Sequence, residues 1–279
     1  MAKQRLGLTT RLRVLTLTGF KNTLRWIIVT LTPIGLGMAI TQAWYLFHKR
    51  WLKYLKKPIW ILILSNALVS EIMLHKRKLY LLRPLFGKVK ILLIPDLDSI
   101  WLFGHIYICN DYNKIYELRK NDLVLDVGAN VGIYTLKCLQ SVSYVISIEP
   151  DPLNVQILHY NLKLNNLHDK CKVVQVAAGD KMEKRYLYLN SCCMRHSLLP
   201  DYPTLKKIIV ECIPLSQLVN NLKLQHVDFV KIDVEGYELN VLRGMTEIIR
   251  RFNPILIVEL KNQSTSSEII ALLKAYKTY

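Results

Sequence analysis

Residues 124–135 read VLDVGANVGIYT. An aliphatic run closes on Asp126 and opens into a window with glycines at 128 and 132, followed by a helix-forming stretch. Strand, glycine turn and helix is the arrangement by which a parallel sheet presents the free N–H groups of a helix start to a ligand. Glycine supplies the positive φ angles of a tight turn and removes a Cβ that would keep a ligand at a distance. Asp126, near the strand end, could accept from a ligand amine or from loop amides.

Four more short runs rich in Val and Ile follow: YVISIEP (144–150), CKVVQVAAGD (171–180), DFVKIDVE (228–235) and PILIVEL (254–260). Helix-like stretches separate them: IYTLKCLQS, PLNVQILHYNLKLNNL, LSQLVNNL and YELNVLRGMTEIIRRF. The runs do not alternate polar with apolar residues, as expected of parallel strands covered on both faces. Strand–helix repetition then predicts an α/β, doubly wound sheet with right-handed crossovers. KRYLYL (184–189) and KKIIVECI (206–213) read as an inserted antiparallel pair. In such a sheet ligands bind beyond the carboxyl ends of the strands. Glu149 ends the second strand, where its two acceptor oxygens can take both hydroxyls of a ribose.

The loop departs from the dinucleotide pattern G-x-G-x-x-G, having Asn130 and Ile133 at two of the glycine positions, and the P-loop pattern is absent. An acid before G-x-N-x-G suits a ligand with an ammonium and a carboxylate, such as the methionine end of S-adenosylmethionine. At this point the chain resembles the FkbM family of S-adenosylmethionine-dependent methyltransferases. The resemblance rests on VLDVGANVGIYT, IEPDPLNVQILHYNLKLNN (148–166), VAAGD (176–180), PILIVEL and above all DFVKIDVEGYELNVLRGM (228–245). It implies a class I, Rossmann-like methyltransferase fold. The implied activity is methylation of a hydroxyl oxygen on a sugar, glycan, glycolipid or similar small acceptor. Carried onto this sequence, Asp126, Gly128, Ala129, Asn130 and Gly132 would hold the methionine part of the cofactor, Glu149 the ribose, and Asp180 the adenine. Asp233 and Glu235 would face the reacting methyl, and His196, with Ser197 beside it, would fall in a loop reaching the acceptor.

An alcohol nucleophile must lose a proton, and a carboxylate or imidazole within about 3 Å can take it. Asp233, Glu235 and His196 are the catalytic candidates. No metal-ligand set is expected, although Asp233 and Glu235 could hold a divalent cation that acidifies the hydroxyl. Two other readings stay open: a nucleic-acid methyltransferase, and a cofactor-binding but inactive scaffold module. Against the first, the N/D-P-P-Y/F motif used on base amines is absent and KIDVEG stands in its place.

Charge divides the chain near residue 90. Residues 1–90 carry 17 Lys and Arg against the single acid Glu71, whereas residues 91–279 carry 21 against 20. The front piece reads as a basic, hydrophobic, helical segment and 91–279 as the methyltransferase domain. WIIVTLTPIGLGMAITQAWYLF (26–47) is free of charge and has the length of a bilayer-spanning helix. An interfacial helix and a packed helical hairpin are its other arrangements. IWILILSNALVSEIML (59–74) suits an interfacial or packed helix, and HKRWLKYLKK suits an anionic lipid surface, where each Lys or Arg contributes about 1 kcal/mol. Membrane association with a cytoplasmic catalytic domain follows, and nucleic acid is the disfavoured partner. The six cysteines form no C-x-x-C pair, as expected of reduced thiols. SSEIIALLKAYKTY (266–279) supplies a helix after the fifth strand, so the last two strands of a class I methyltransferase are expected to be missing or replaced.

Overall fold

The computed structural model describes residues 80–82, 89–93, 102–103, 106–107, 116–190, 196–200, 206–260 and 263–276. The candidate span 26–47 and the apolar run 59–74 lie outside them. Among the described residues no helix is long and apolar enough to cross a membrane.

Strands β1 (Tyr80–Leu82) and β2 (Ile91–Leu93) form an antiparallel pair ahead of the main sheet. The main sheet contains β3 (Leu123–Val127), β4 (Tyr144–Ile148) and β5 (Cys171–Val174). Between them lie helices α1 (Ile133–Cys138) and α2 (Pro152–Leu164). A second sheet holds β6 (Ala177–Gly179), β7 (Glu183–Leu189) and β8 (Lys206–Pro214). Helix α3 (Leu215–Asn221) leads to β9 (Phe229–Ile232), and α4 (Glu238–Gly244) and α5 (Thr246–Phe252) lead to β10 (Ile255–Val258) and α6 (Gln263–Tyr276).

The main sheet has the order β5-β4-β3-β9-β10, with every pair parallel. The chain winds outward from β3 in one direction and returns to its other side at β9, so the topological switch point lies between β3 and β9. Both faces are covered, which is why the strand sequences read as continuous apolar runs. Val124, Val145, Phe229 and Ile257 pack with Leu136, Leu158 and Leu162 of α1 and α2. On the opposite face Leu125, Ile146, Val230 and Leu256 pack with Leu218, Val241 and Ile269 of α3, α4 and α6. Among the described residues no antiparallel strand joins this sheet.

Three local expectations need correction. The third apolar run does not form one strand: β5 ends at Val174, Val176 N turns back to Val174 O (3.1 Å), and β6 enters the second sheet beside β8. The stretch 237–252 does not form one helix. Gly244 closes α4 against β6, where a Cβ would collide with the carbonyl of Gly179, and the Thr246 hydroxyl donates to Arg243 O (2.8 Å) as the chain restarts in α5. Finally, the β1–β2 pair straddles residue 90, where the charge break had set the domain boundary. Its second strand docks on α2 through two asparagines. Asn161 bonds both Leu92 N (2.7 Å) and Leu92 O (3.0 Å), and Asn165 bonds both Lys90 N (2.8 Å) and Lys90 O (2.6 Å). Each amide imitates a neighbouring strand, satisfying backbone groups that would otherwise be buried unpaired. Cys138, Cys171 and Cys212 are free and buried; Cys109, Cys192 and Cys193 lie outside the described residues.

Candidate active site

The carboxyl ends of β3, β4 and β9 open into one cleft enclosing roughly 730 Å³, open solvent included. The loop after β3 forms its floor. Gly128 and Gly132 have φ of 75° and 87°, and Asn130 joins them at 52°. Gly128 N and Ala129 N both donate to Ile148 O (2.9 and 3.0 Å), tying this loop to the end of β4. The missing Cβ atoms face protein rather than ligand. At Gly128 a Cβ would strike the carbonyl of Asp233, and at Gly132 it would strike the Leu158 side chain of α2. The glycines are therefore required by the approach of β9 and α2, and the turn they allow then brings Gly128, Ala129 and Asn130 to the cleft.

Glu149 follows β4 directly and is buried at 4% exposure. Its Oε2 accepts from Asn130 N (2.8 Å); its Oε1 accepts from Asp151 N (3.0 Å) and, at 3.4 Å, from Asn154 Nδ2. Burial pushes this carboxyl up to about 7, although the amides of Asp151 and Asn130 favour its charged form. Asp151 accepts from Leu153 N (2.9 Å), capping α2 ahead of Pro152 at its first turn. The other Asp151 oxygen lies 2.8 Å from His196 Nδ1, an ion-pair distance without the alignment of a hydrogen bond. Next to it, Ser197 pairs by backbone with Tyr188 and donates its hydroxyl to Glu235 O (2.9 Å). The segment 196–198 thus bridges the ends of β4 and β9.

Beneath the cleft sits a buried charge cluster. Lys231 Nζ lies 3.2 Å from Asp233 Oδ2 and 3.5 Å from Asp126 Oδ1, and donates to Gly128 O (3.1 Å). Burial opposes the ammonium charge, but the carboxylates of Asp233, Asp126 and Glu259 outweigh it and hold Lys231 well above the ordinary lysine value. Beyond Asp233 the chain turns through Glu235 (φ 59°) and Gly236 (φ 108°) into α4. The turn is held by Glu238, whose Oε1 accepts from Gly236 N (2.8 Å) and whose carboxyl burial raises to about 7.

Of the candidates from the sequence, Gly128, Ala129, Asn130, Glu149, His196, Asp233 and Glu235 line this one cleft. Three do not. Asp126 is fully buried, with Oδ2 accepting from Thr135 Oγ1 (2.7 Å), because it shares its strand face with Val124 and points under α1. Gly132 lies behind the loop against α2. Asp180 lines a separate shallow groove near Asn240 (3.4 Å), because the chain has left the main sheet at Val174; Ala177 and Ala178 line the cleft instead. The sequence reading also missed Asn154, a polar residue in the first turn of the helix after Glu149, and the hold of Glu238 on the turn at Gly236. Among the described residues no three His, Cys, Asp or Glu side chains are grouped as metal ligands.

Residues 126–278 match the methyltransferase FkbM domain family. The chain is 25% identical over 186 residues to the methyltransferase sdnD of Sordaria araneosa, covering 55% of this chain and 71% of that protein. It is equally 25% identical over 186 residues to the hexuronic acid methyltransferase AglP of Haloferax volcanii, covering 66% and 75%. Among solved structures, the methyltransferase FkbM of Methylobacillus flagellatus KT is similar at 20% identity with a TM-score of 0.41; 56% of this chain covers 36% of that one. The glycine loop, the acid after β4 and the D-V-E-G turn all fall inside the matched span and meet at one cleft, and the chain belongs to the FkbM family of methyltransferases.

Proposed function

We propose that this methyltransferase moves the methyl group of S-adenosylmethionine to a hydroxyl oxygen on a sugar, glycan, glycolipid or similar small acceptor. The observation that carries the reading is the cleft at the switch point with Glu149 at the tip of β4. The residues fit the cofactor. A buried carboxyl with acceptor capacity sits at the tip of β4, suited to a ribose, and Ala177 and Ala178 offer a low apolar wall for a base. When bound, the cofactor supplies a sulfonium-activated methyl group. The chain's own share is to exclude water, align the acceptor, and accept the hydroxyl proton. Alignment can contribute ~7–11 kcal/mol of the barrier. His196, Asp233 and Glu235 are the cleft groups suited to receive the proton, with Asp233 also paired to Lys231. AglP, by name a hexuronic acid methyltransferase, supports a sugar acceptor.

Residues 1–90 hold the enzyme at an anionic membrane surface, with the catalytic domain on the cytoplasmic side. Their 17 basic residues and the uncharged run 26–47 support this part of the reading. Calorimetry with S-adenosylmethionine, then tritiated methyl transfer to lipid, glycan and RNA fractions, tests the whole. Label in glycan or glycolipid is the expected result. Label confined to RNA, or no cofactor binding, refutes it.

A further inference from the structure

Hydrogen-bond capacity at the tip of β4 is unevenly used. Glu149 Oε1 already receives two donors, Asp151 N and Asn154 Nδ2, which fill its two lone-pair positions. Glu149 Oε2 receives one, from Asn130 N, and keeps one position open. Beside it, Asn154 is 1% exposed and lines the cleft, and its Oδ1 is buried with no hydrogen-bond partner. The orientation of this amide is set by its neighbour: with Glu149 ionised, the form that accepts from a diol, the opposite assignment would turn Oδ1 onto the carboxylate, acceptor against acceptor. A buried amide carbonyl without a partner is costly and calls for a donor from outside the chain.

Two open acceptors on adjacent side chains match the two donors of a vicinal diol. We infer that Glu149 and Asn154 divide the ribose diol of the cofactor between them, one hydroxyl donating to Glu149 Oε2 and the other to Asn154 Oδ1. This rests on the cofactor reading above and changes its detail: the carboxylate grips one hydroxyl, and Asn154 is a ribose-binding residue. It also gives the Asn154 amide two duties, since its Nδ2 occupies the Glu149 oxygen that would otherwise compete for the second hydroxyl.

The test is calorimetry of the full chain with S-adenosylhomocysteine and its 2′-deoxy and 3′-deoxy analogues. A neutral hydrogen bond to Asn154 predicts about a tenfold loss for one analogue, and the charge-assisted bond to Glu149 about 10- to 100-fold for the other. Asn154→Ala is expected to weaken S-adenosylhomocysteine about tenfold, to leave the affinity for the first analogue unchanged, and to keep the full penalty for the second. An unaltered affinity in Asn154→Ala, or the same loss against all three ligands, overturns the division. Should that variant fail to fold, the unaltered chain decides, since two penalties of about 100-fold, each of charge-assisted size, would mean that Glu149 holds both hydroxyls. If the unaltered chain binds none of the ligands, the cofactor reading itself falls. If it binds them and Asn154→Ala binds equally well, only the division falls.

Discussion

Acidity is the sharpest probe of Glu149. Its carboxyl is raised from the ordinary 4.5 to about 7 because burial penalises its charge. In the ligand-free protein it is therefore protonated below about pH 7, and a diol that needs a carboxylate acceptor must displace that proton. Affinity for S-adenosylhomocysteine should rise tenfold per unit between pH 5 and 7 and level off above, since one unit corresponds to about 1.4 kcal/mol. The sign for stability is the opposite. A carboxyl raised in the folded state stabilises most below its unfolded value and loses that contribution as pH rises through about 7. Over 2.5 units the loss is about 3 kcal/mol, with Glu238 adding a similar trend of its own. Calorimetry from pH 5 to 8, in buffers of different ionisation enthalpy, reads both the affinity and the proton released. Glu149→Gln should abolish the slope while leaving measurable binding. An affinity flat across this range, or a slope retained in Glu149→Gln, would refute the reasoning.

Other perturbations separate scaffold from chemistry. Gly128→Ala combines a positive φ with a collision at the Asp233 carbonyl, so urea denaturation should register a loss of about 2–4 kcal/mol; a change below about 1 kcal/mol would mean β9 does not press on this loop. Lys231→Met removes the cation between Asp126 and Asp233 and should cost about 3–5 kcal/mol in the same assay, more than Asp126→Asn, which keeps an acceptor for Thr135. His196→Ala should lower single-turnover methyl transfer by about 10²–10⁴-fold while S-adenosylhomocysteine affinity stays within about threefold. An equal fall in affinity would assign His196 to cofactor binding.

The five parallel strands were legible because Val and Ile runs, free of alternation, leave few other readings, and Glu149 was legible because it sits one residue past such a run. Asp126 shows where that logic needs a further step. It lies inside its strand, on the face of Val124, so its side chain falls beneath the helix that follows rather than in the cleft. The same parity pairs it with Lys231 in the neighbouring strand, a buried ion pair that the register alone predicts once the strand order is known. The split at Val174 was not legible, since residues on both sides of it are apolar and only their partners differ. The restart at Thr246 depends on the closeness of Gly179, which no local propensity encodes. Asn161 and Asn165 hold another segment's backbone, a role that nothing in their own helical stretch signals.

Those two asparagines carry a practical consequence. A trimmed version of the enzyme that began at position 94 would undo four hydrogen bonds, leaving the Asn161 carboxamide only its bond to Val131 O and that of Asn165 only its bond to Asn161 O. Such a fragment would be prone to stick to itself through the apolar face that β2 had covered. Starting at or before Tyr80 keeps the clamp whole.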